Sequence, residues 1–350
     1  TKLYTVEVNV TNIAPIGEIH LVKTDKDTGD LLGGVTYQLT AKEDIYSLDG
    51  RHTLIYEKGQ TVSKDISEDG LYVTNELGEI HISELPLGQY ELKETQALEG
   101  YARDENIYSI DLSYDGSDQT VYTHSMNVTN QKTVVEISKK DITDGNELEG
   151  AKLTLFDKDD QVIETWTSTN EPHIIKGLLV GEKYRLHEDL APLGYVKTSD
   201  ITFTVNNTTD VQKVEMIDDV IRVEISKQDI VTGKELPGAQ LQIIDENSKV
   251  IHEWVTTDKP HLFEKLPAGE YTLREMTAPD GYEIAEDIAF TVEETGDIQK
   301  VVMKDKPVKK EVVKTGDHAM IMLYVCGVAI AGLGCIYFIK KKKHGESDGR

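Results

Sequence analysis

The stretch VEISKKDITDGNELEGAKL at Val135–Leu153 returns as VEISKQDIVTGKELPGAQL at Val223–Leu241, and this repetition decides how the rest of the chain reads. Further along, YRLHEDLAPLGY (Tyr184–Tyr195) matches YTLREMTAPDGY (Tyr271–Tyr282), and VQKVEMIDD (Val211–Asp219) matches IQKVVMKDK (Ile298–Lys306). The offset is 88 residues up to Trp166/Trp254 and 87 from Tyr184/Tyr271 onward. Residues 17–131 carry the same landmarks in HLVKTDKDTGDLLGGVTYQL, YELKETQALEGY and MNVTNQK, with a longer middle. Turn residues separate alternating segments, and no window sustains a helical period. A repeat of this length and texture predicts a tandem array of small β domains, so the class is all-β.

Strand phase sharpens this. Residues two apart on a strand share a face. Val135 and Ile137 lead in phase to Lys139, Val223 and Ile225 to Lys227, and Ile19 and Leu21 to Lys23. Tyr184 and Leu186 lead to Glu188, Tyr271 and Leu273 to Glu275, and Tyr90 and Leu92 to Glu94. On the last strand of each repeat, Val214 and Met216 lead to Asp218, Val301 and Met303 to Asp305, and Met126 and Val128 to Asn130. One Lys or Glu at a strand end ordinarily reaches solvent. Three repeats with Lys, Glu and Asn/Asp in the same order and phase instead predict that the three groups meet inside, because unpaired buried charges are costly.

Composition sets the outer limits. A chain of 350 residues accommodates two or three domains. The formal charge of −26 argues against nucleic-acid binding, which needs clustered Lys and Arg. Residues 340–350 carry five basic and two acidic side chains, so everything before them is more acidic still. Both cysteines, Cys326 and Cys335, lie in one apolar run near the C-terminus, which excludes disulfides and Cys-based metal sites from the folded region. Small exported modules without disulfides need another staple or good packing. No signal peptide precedes Thr1 although the features below require export, so the sequence reads as a fragment whose N-terminal part lies upstream.

At these residues the sequence resembles the SpaA-like and Cna-B-type modules of Gram-positive pilins and adhesins, over about residues 17–308. The most specific motif is the E-box, YxLxE followed by APxGY. The resemblance implies a Greek-key, prealbumin-like (Ig-like) sandwich whose first and last strands are neighbours. It also implies that the first-strand Lys is joined to an Asn or Asp of the last strand, with the E-box Glu as autocatalyst and no cofactor. Carried over by position, the sets are Lys23/Glu94/Asn130, Lys139/Glu188/Asp218 and Lys227/Glu275/Asp305. There are two departures: the first module reads ETQALEGY where AP is expected, and Asp218 is followed by Asp219, which leaves either as acceptor. Such self-modification happens once per molecule, and the protein is not expected to be an enzyme.

Ala319 to Ile339 is an uncharged run of 21 residues, long enough to span a bilayer as a helix, followed by KKKKH as expected of a cytoplasmic end. VVKTGD at 312–317 stands just before it. This order resembles a sortase-read, LPXTG-like cell-wall sorting signal in which Val312-Val313 replaces Leu-Pro. The resemblance implies cleavage between Thr315 and Gly316 and joining of Thr315 to a peptidoglycan or pilin amine. The expected organisation is a final strand of an upstream module (1–16), modules at 17–132, 133–220 and 221–308, a linker with the sorting motif (309–318), a transmembrane helix (319–339) and a basic tail (340–350). Asn12, in VNVTN, echoes Asn130 and reads as the orphan acceptor of the upstream module. The expected role is the stalk of a wall-anchored adhesin whose upstream region meets a host extracellular-matrix ligand. The alternative is a sortase-assembled pilin subunit.

Weaker signals read as structure. DKDTGD (Asp25–Asp30) and DKDD (Asp157–Asp160) faintly resemble calcium loops, but no bidentate Glu follows at the required spacing, and they read as hairpin turns. The ten histidines show no ligand spacing, and no metal is expected. Trp166 and Trp254, at equivalent strand positions, read as packing residues. Residues 56–70 are the largest excursion and, by exposure, the best place for a binding surface.

Overall fold

The computed structural model describes residues 14–63 and 70–309, and within them the chain is all-β, with twenty-four strands and no helix. Asn12, Thr315, Gly316, the 319–339 span and the basic tail lie outside the described residues, as do residues 1–13 and 64–69.

Each repeat builds two facing sheets. In the first, Ile16–Asp25 sits between Glu79–Leu85 and Val121–Asn130, opposite a sheet ordered Leu71–Val73, Thr36–Ala41, Gln89–Gln96, Ile107–Asp111. Ile16–Asp25 alternates half-buried and buried along its whole length, the period of a strand with one wet face. Its inward Ile19 and Leu21 meet Tyr37, Leu39, Tyr90 and Leu92 in the core. The second repeat pairs His173–Lys176, Val134–Asp141, Gln212–Val220 and Tyr195–Val196 in one sheet, and Val162–Thr167, Lys152–Phe156, Lys183–Leu190 and Ile201–Thr204 in the other. The third repeats this with His261–Glu264, Arg222–Asp229 and Ile298–Asp305 facing Val250–Val255, Gln240–Asp245, Gly269–Thr277 and Ile288–Val292. Trp166 stacks on His173 with ring centroids 4.4 Å apart, and Trp254 meets Phe263 edge-on at 4.9 Å, both against the flank of a core.

In every repeat the opening and closing strands are neighbours, and they run parallel. The chain therefore enters each module at one end and leaves at the other, which is what end-to-end stacking requires. The registers place Asp25 beside Asn130, Asp141 beside Asp218 and Asp229 beside Asp305. Lys23, Lys139 and Lys227 lie two residues earlier on the same inward face.

Candidate functional site

In each module the structure brings together the Lys, Glu and Asn/Asp picked out by strand phase, and all nine side chains are buried. In the first module the carboxyl group of Glu94 bridges the other two. Lys23 Nζ donates to Oε2 at 2.8 Å, and Asn130 Nδ2 donates to Oε1 at 2.7 Å. Burial pushes the Lys23 amine below its ordinary range, against the opposing pull of Glu94. The Tyr37 hydroxyl also donates to Glu94 Oε2, at 3.3 Å, and its ring centroid lies 5.5 Å from Lys23 Nζ.

In the second module Lys139 Nζ contacts Asp218 Oδ1 and lies 3.0 Å from Glu188 Oε1, an ion pair without hydrogen-bond geometry. The Thr198 N–H donates to Glu188 Oε2 at 2.8 Å, and burial raises the Glu188 carboxyl above the usual carboxylate range. Asp218 points inward, whereas Asp219 turns to Arg222 at 2.9 Å. In the third, Lys227 Nζ contacts Asp305 Oδ1 and lies 2.9 Å from Glu275 Oε1, while the Ala285 N–H donates to Glu275 Oε2 at 2.7 Å. Burial pushes Asp305 up to about 6. Asn130 Oδ1, Asp218 Oδ2 and Asp305 Oδ2 are buried without a hydrogen-bond partner.

The opening and closing strands supply the Lys and the Asn or Asp, and the facing sheet supplies the Glu. Glu94, Glu188 and Glu275 sit opposite Tyr37, Leu153 and Leu241, and in each case the register slips by one residue directly afterwards. A bulge at Thr95, Asp189 or Met276 thus ends the regular ladder beside each buried carboxyl group, a common position for such a kink.

Sequence reasoning missed a second repeated constellation. The hydroxyls of Tyr101, Tyr195 and Tyr282, the last residues of each GY pair, donate to Asp25, Asp141 and Asp229 at 2.7, 2.6 and 2.7 Å. The other oxygen of each Asp accepts from the turn that follows, Asp27 and Thr28 in the first module, Thr143 in the second, Val231 and Thr232 in the third. DKDTGD is thus a hairpin turn held by its first Asp. Among the described residues no cluster of three or more His, Cys, Asp or Glu is placed to hold a metal.

The same loops join the modules. Gly100 O accepts from Thr133 N, whose residue's carbonyl accepts from Gly177 N, at 3.0 and 2.9 Å. At the next joint Gly194 O, Ile221 and Lys265 N repeat that chain at 2.9 and 2.9 Å. Side chains repeat too: Asn207 accepts from Arg103 N at 2.6 Å, and Glu294 from Lys197 N at 3.0 Å. At the second joint Lys265 Nζ adds a 2.6 Å bond to Asp141 Oδ2, with the Tyr195 ring centroid 5.0 Å from the ammonium. Burial alone would raise the Asp141 carboxyl. Donors from Lys265, Tyr195 and Thr143 outweigh it and hold that group well below the usual range.

Fold and site define a class, the prealbumin-like sandwich with a buried Lys amine, a Glu carboxyl group and an Asn or Asp side chain gathered between its sheets. The chain belongs to the SpaA prealbumin-like fold domain family, which matches at residues 17–127, 133–220 and 221–307. Among solved structures it is similar to the Bacillus anthracis TIE protein, with 25% identity, TM-score 0.41 and 83% of this chain covered. This chain spans about half (51%) of that protein. It is also similar to a streptococcal ancillary pilin (19% identity, TM-score 0.33, 83% and 99% of the two chains). The major pilin SpaD of Corynebacterium diphtheriae is comparable (14%, 0.34, 85% and 98%). No curated protein matches it.

Proposed function

We propose that the described modules form a tension-bearing stalk of a Gram-positive, wall-anchored surface protein, each module closed by an intramolecular Lys–Asn or Lys–Asp isopeptide bond. The observation carrying this reading is the threefold burial of Lys, Glu and acceptor between parallel terminal strands. Burial disfavours charge, so a neutral amine and a protonated carboxyl group can coexist there, and the shifts at Lys23, Glu188 and Asp305 run in that direction. A neutral amine held against an acyl carbon is a nucleophile, and fixed proximity substitutes for an activated leaving group. In the first module Nζ attacks Asn130 Cγ, the Cγ–Nδ2 bond breaks, and Glu94 carries a proton from Nζ to Nδ2, which leaves as ammonia. In the other two, the acceptor Asp loses one oxygen as water, with Glu188 or Glu275 as the carrier.

The mechanical consequence follows from topology. Tension enters along the opening strand, crosses the bond at its far end and leaves from the end of the closing strand. The residues between Lys and acceptor stay outside the force path. Pulling single chains tests this: residues 23–130, 139–218 and 227–305 should contribute no unfolding steps, and full-length unfolding steps would refute it.

The division at 17–132, 133–220 and 221–308, the transmembrane segment and anchoring by sortase at Thr315 belong to the same proposal, as does an adhesive region upstream that the stalk projects. The sequence order around 312–343 supports anchoring. One-time bond formation supports a structural role over an enzymatic one. Subunits cross-linked as ladders in wall extracts would favour the pilin arrangement instead.

A further inference from the structure

The second and third sites are near copies, and one polar side chain separates them. After Tyr195–Val196 pairs with the closing strand, the chain passes Thr198 alongside Ile217 and Asp218. The Thr198 hydroxyl lies 2.7 Å from Asp218 Oδ1 and 2.6 Å from Ile217 O, while its backbone N–H holds Glu188. One residue thus touches two of the three reacting groups. In the third module the same backbone contact to Glu275 comes from Ala285, which has no hydroxyl.

A hydroxyl carries one proton, and the Ile217 carbonyl can only accept. With Asp218 ionised, both neighbours of Oγ1 are acceptors, and one contact lacks a hydrogen. With a proton on Oδ1, the run Asp218 Oδ1–H to Thr198 Oγ1–H to Ile217 O gives both contacts of the hydroxyl a hydrogen. Oδ1 is also the oxygen that Lys139 Nζ contacts, and Oδ2 has no partner.

We propose that Thr198 is a positioning residue of the second site, holding Asp218 as the neutral acid with Oδ1 as the oxygen that leaves. This rests on the isopeptide reading above. The Nζ–Cγ bond forms as Cγ–Oδ1 breaks. Oδ1 departs as water with its own proton and one taken from Nζ through Glu188, and Oδ2 remains as the amide oxygen. Bond closure in the second module therefore depends on a hydroxyl, and closure in the third does not.

The test follows both bonds in the same full-length chains. Newly translated, pulse-labelled protein is quenched in denaturant at intervals and digested, and linear and cross-linked Lys139 and Lys227 peptides are counted. T198A and T198V should slow the Lys139–Asp218 bond about tenfold, the size of one lost hydrogen bond to a reacting group. The Lys227–Asp305 bond in those chains should keep its rate, and T198S should restore the second-module rate. Equal rates in T198A and the unaltered chain would overturn the proposal, as would equal slowing by Ala, Val and Ser, which marks a packing effect. A linear Lys139 peptide beside a cross-linked Lys227 peptide in the unaltered chain would overturn it at this site alone. Linear peptides at both sites would remove the isopeptide reading with it.

Discussion

Replacing Lys265 by Met removes the ammonium at the joint between the second and third modules and keeps most of its aliphatic stem. Asp141 is buried and accepts from Lys265, Tyr195 and Thr143. A hydrogen bond to a charged group contributes about 1.5–3 kcal/mol. The Lys265 side chain is 41% exposed, so solvent screening brings the expected loss to about 1 kcal/mol. The loss should appear locally, because Ile221 N and Lys265 N bind across this joint. At RT near 0.6 kcal/mol it corresponds to roughly fivefold faster amide exchange at Ile221 and Lys265, with Thr133 and Gly177 unchanged. The sign with pH is fixed by Asp141, whose carboxyl is held below its unfolded value. Its contribution is present above about pH 4 and fades as pH falls through the lowered folded value. The gap between K265M and the unaltered chain should therefore shrink in acid. Unchanged protection at Ile221 and Lys265, or a gap that widens in acid, would refute the reasoning.

Further outcomes follow from the same contacts. Glu275→Ala should abolish water loss in the third module alone and destabilise it more than a surface change does, read by peptide mass and melting; full water loss in the variant would refute the shuttle role. In Lys227→Met no bond can form and Asp305 stays buried. Burial raises that carboxyl, and losing the opposing pull of Lys227 raises it further. The third module should therefore be most stable below about pH 4 and lose stability as pH rises toward the raised folded value; a pH-independent melting curve would contradict this. Gly194→Ala puts a Cβ 2.4 Å from Lys265 O at a φ of +87°, so exchange at Ile221 should accelerate beyond the K265M effect. Wall-released protein should end at Thr315, whereas intact chains recovered only from detergent-extracted membrane would oppose anchoring.

Much of this molecule is legible in its sequence because strand phase is a local signal. Val135, Ile137 and Lys139 announce an inward Lys without any knowledge of the fold, and the threefold repeat turns one ambiguous charge into a pattern. What stayed hidden depends on chain segments that only the fold brings together. Nothing local tells Tyr195 to seek Asp141, Thr198 to seek Asp218, or Lys265 to cross into the preceding module. Strand phase already turns Asp218 inward after Val214 and Met216, but the pairing of Asp219 with Arg222 on the other face shows only in the fold. Tyr37 aligns with Leu153 and Leu241 and reads as one more core residue until its hydroxyl is seen on Glu94. The bulges after Glu94, Glu188 and Glu275 leave no mark in hydrophobic alternation, because only two residues of strand follow each of them.

The intact mass of the purified 350-residue chain, made where no sortase can cut it, tests the central claim most directly. Three closed sites predict a molecule lighter than its sequence by one ammonia and two waters, with the losses mapping to Lys23–Asn130, Lys139–Asp218 and Lys227–Asp305. A second ammonia loss traced to Asn12 would show the first module boundary to be misplaced, and a mass equal to that of the sequence would contradict the covalent account of all three modules.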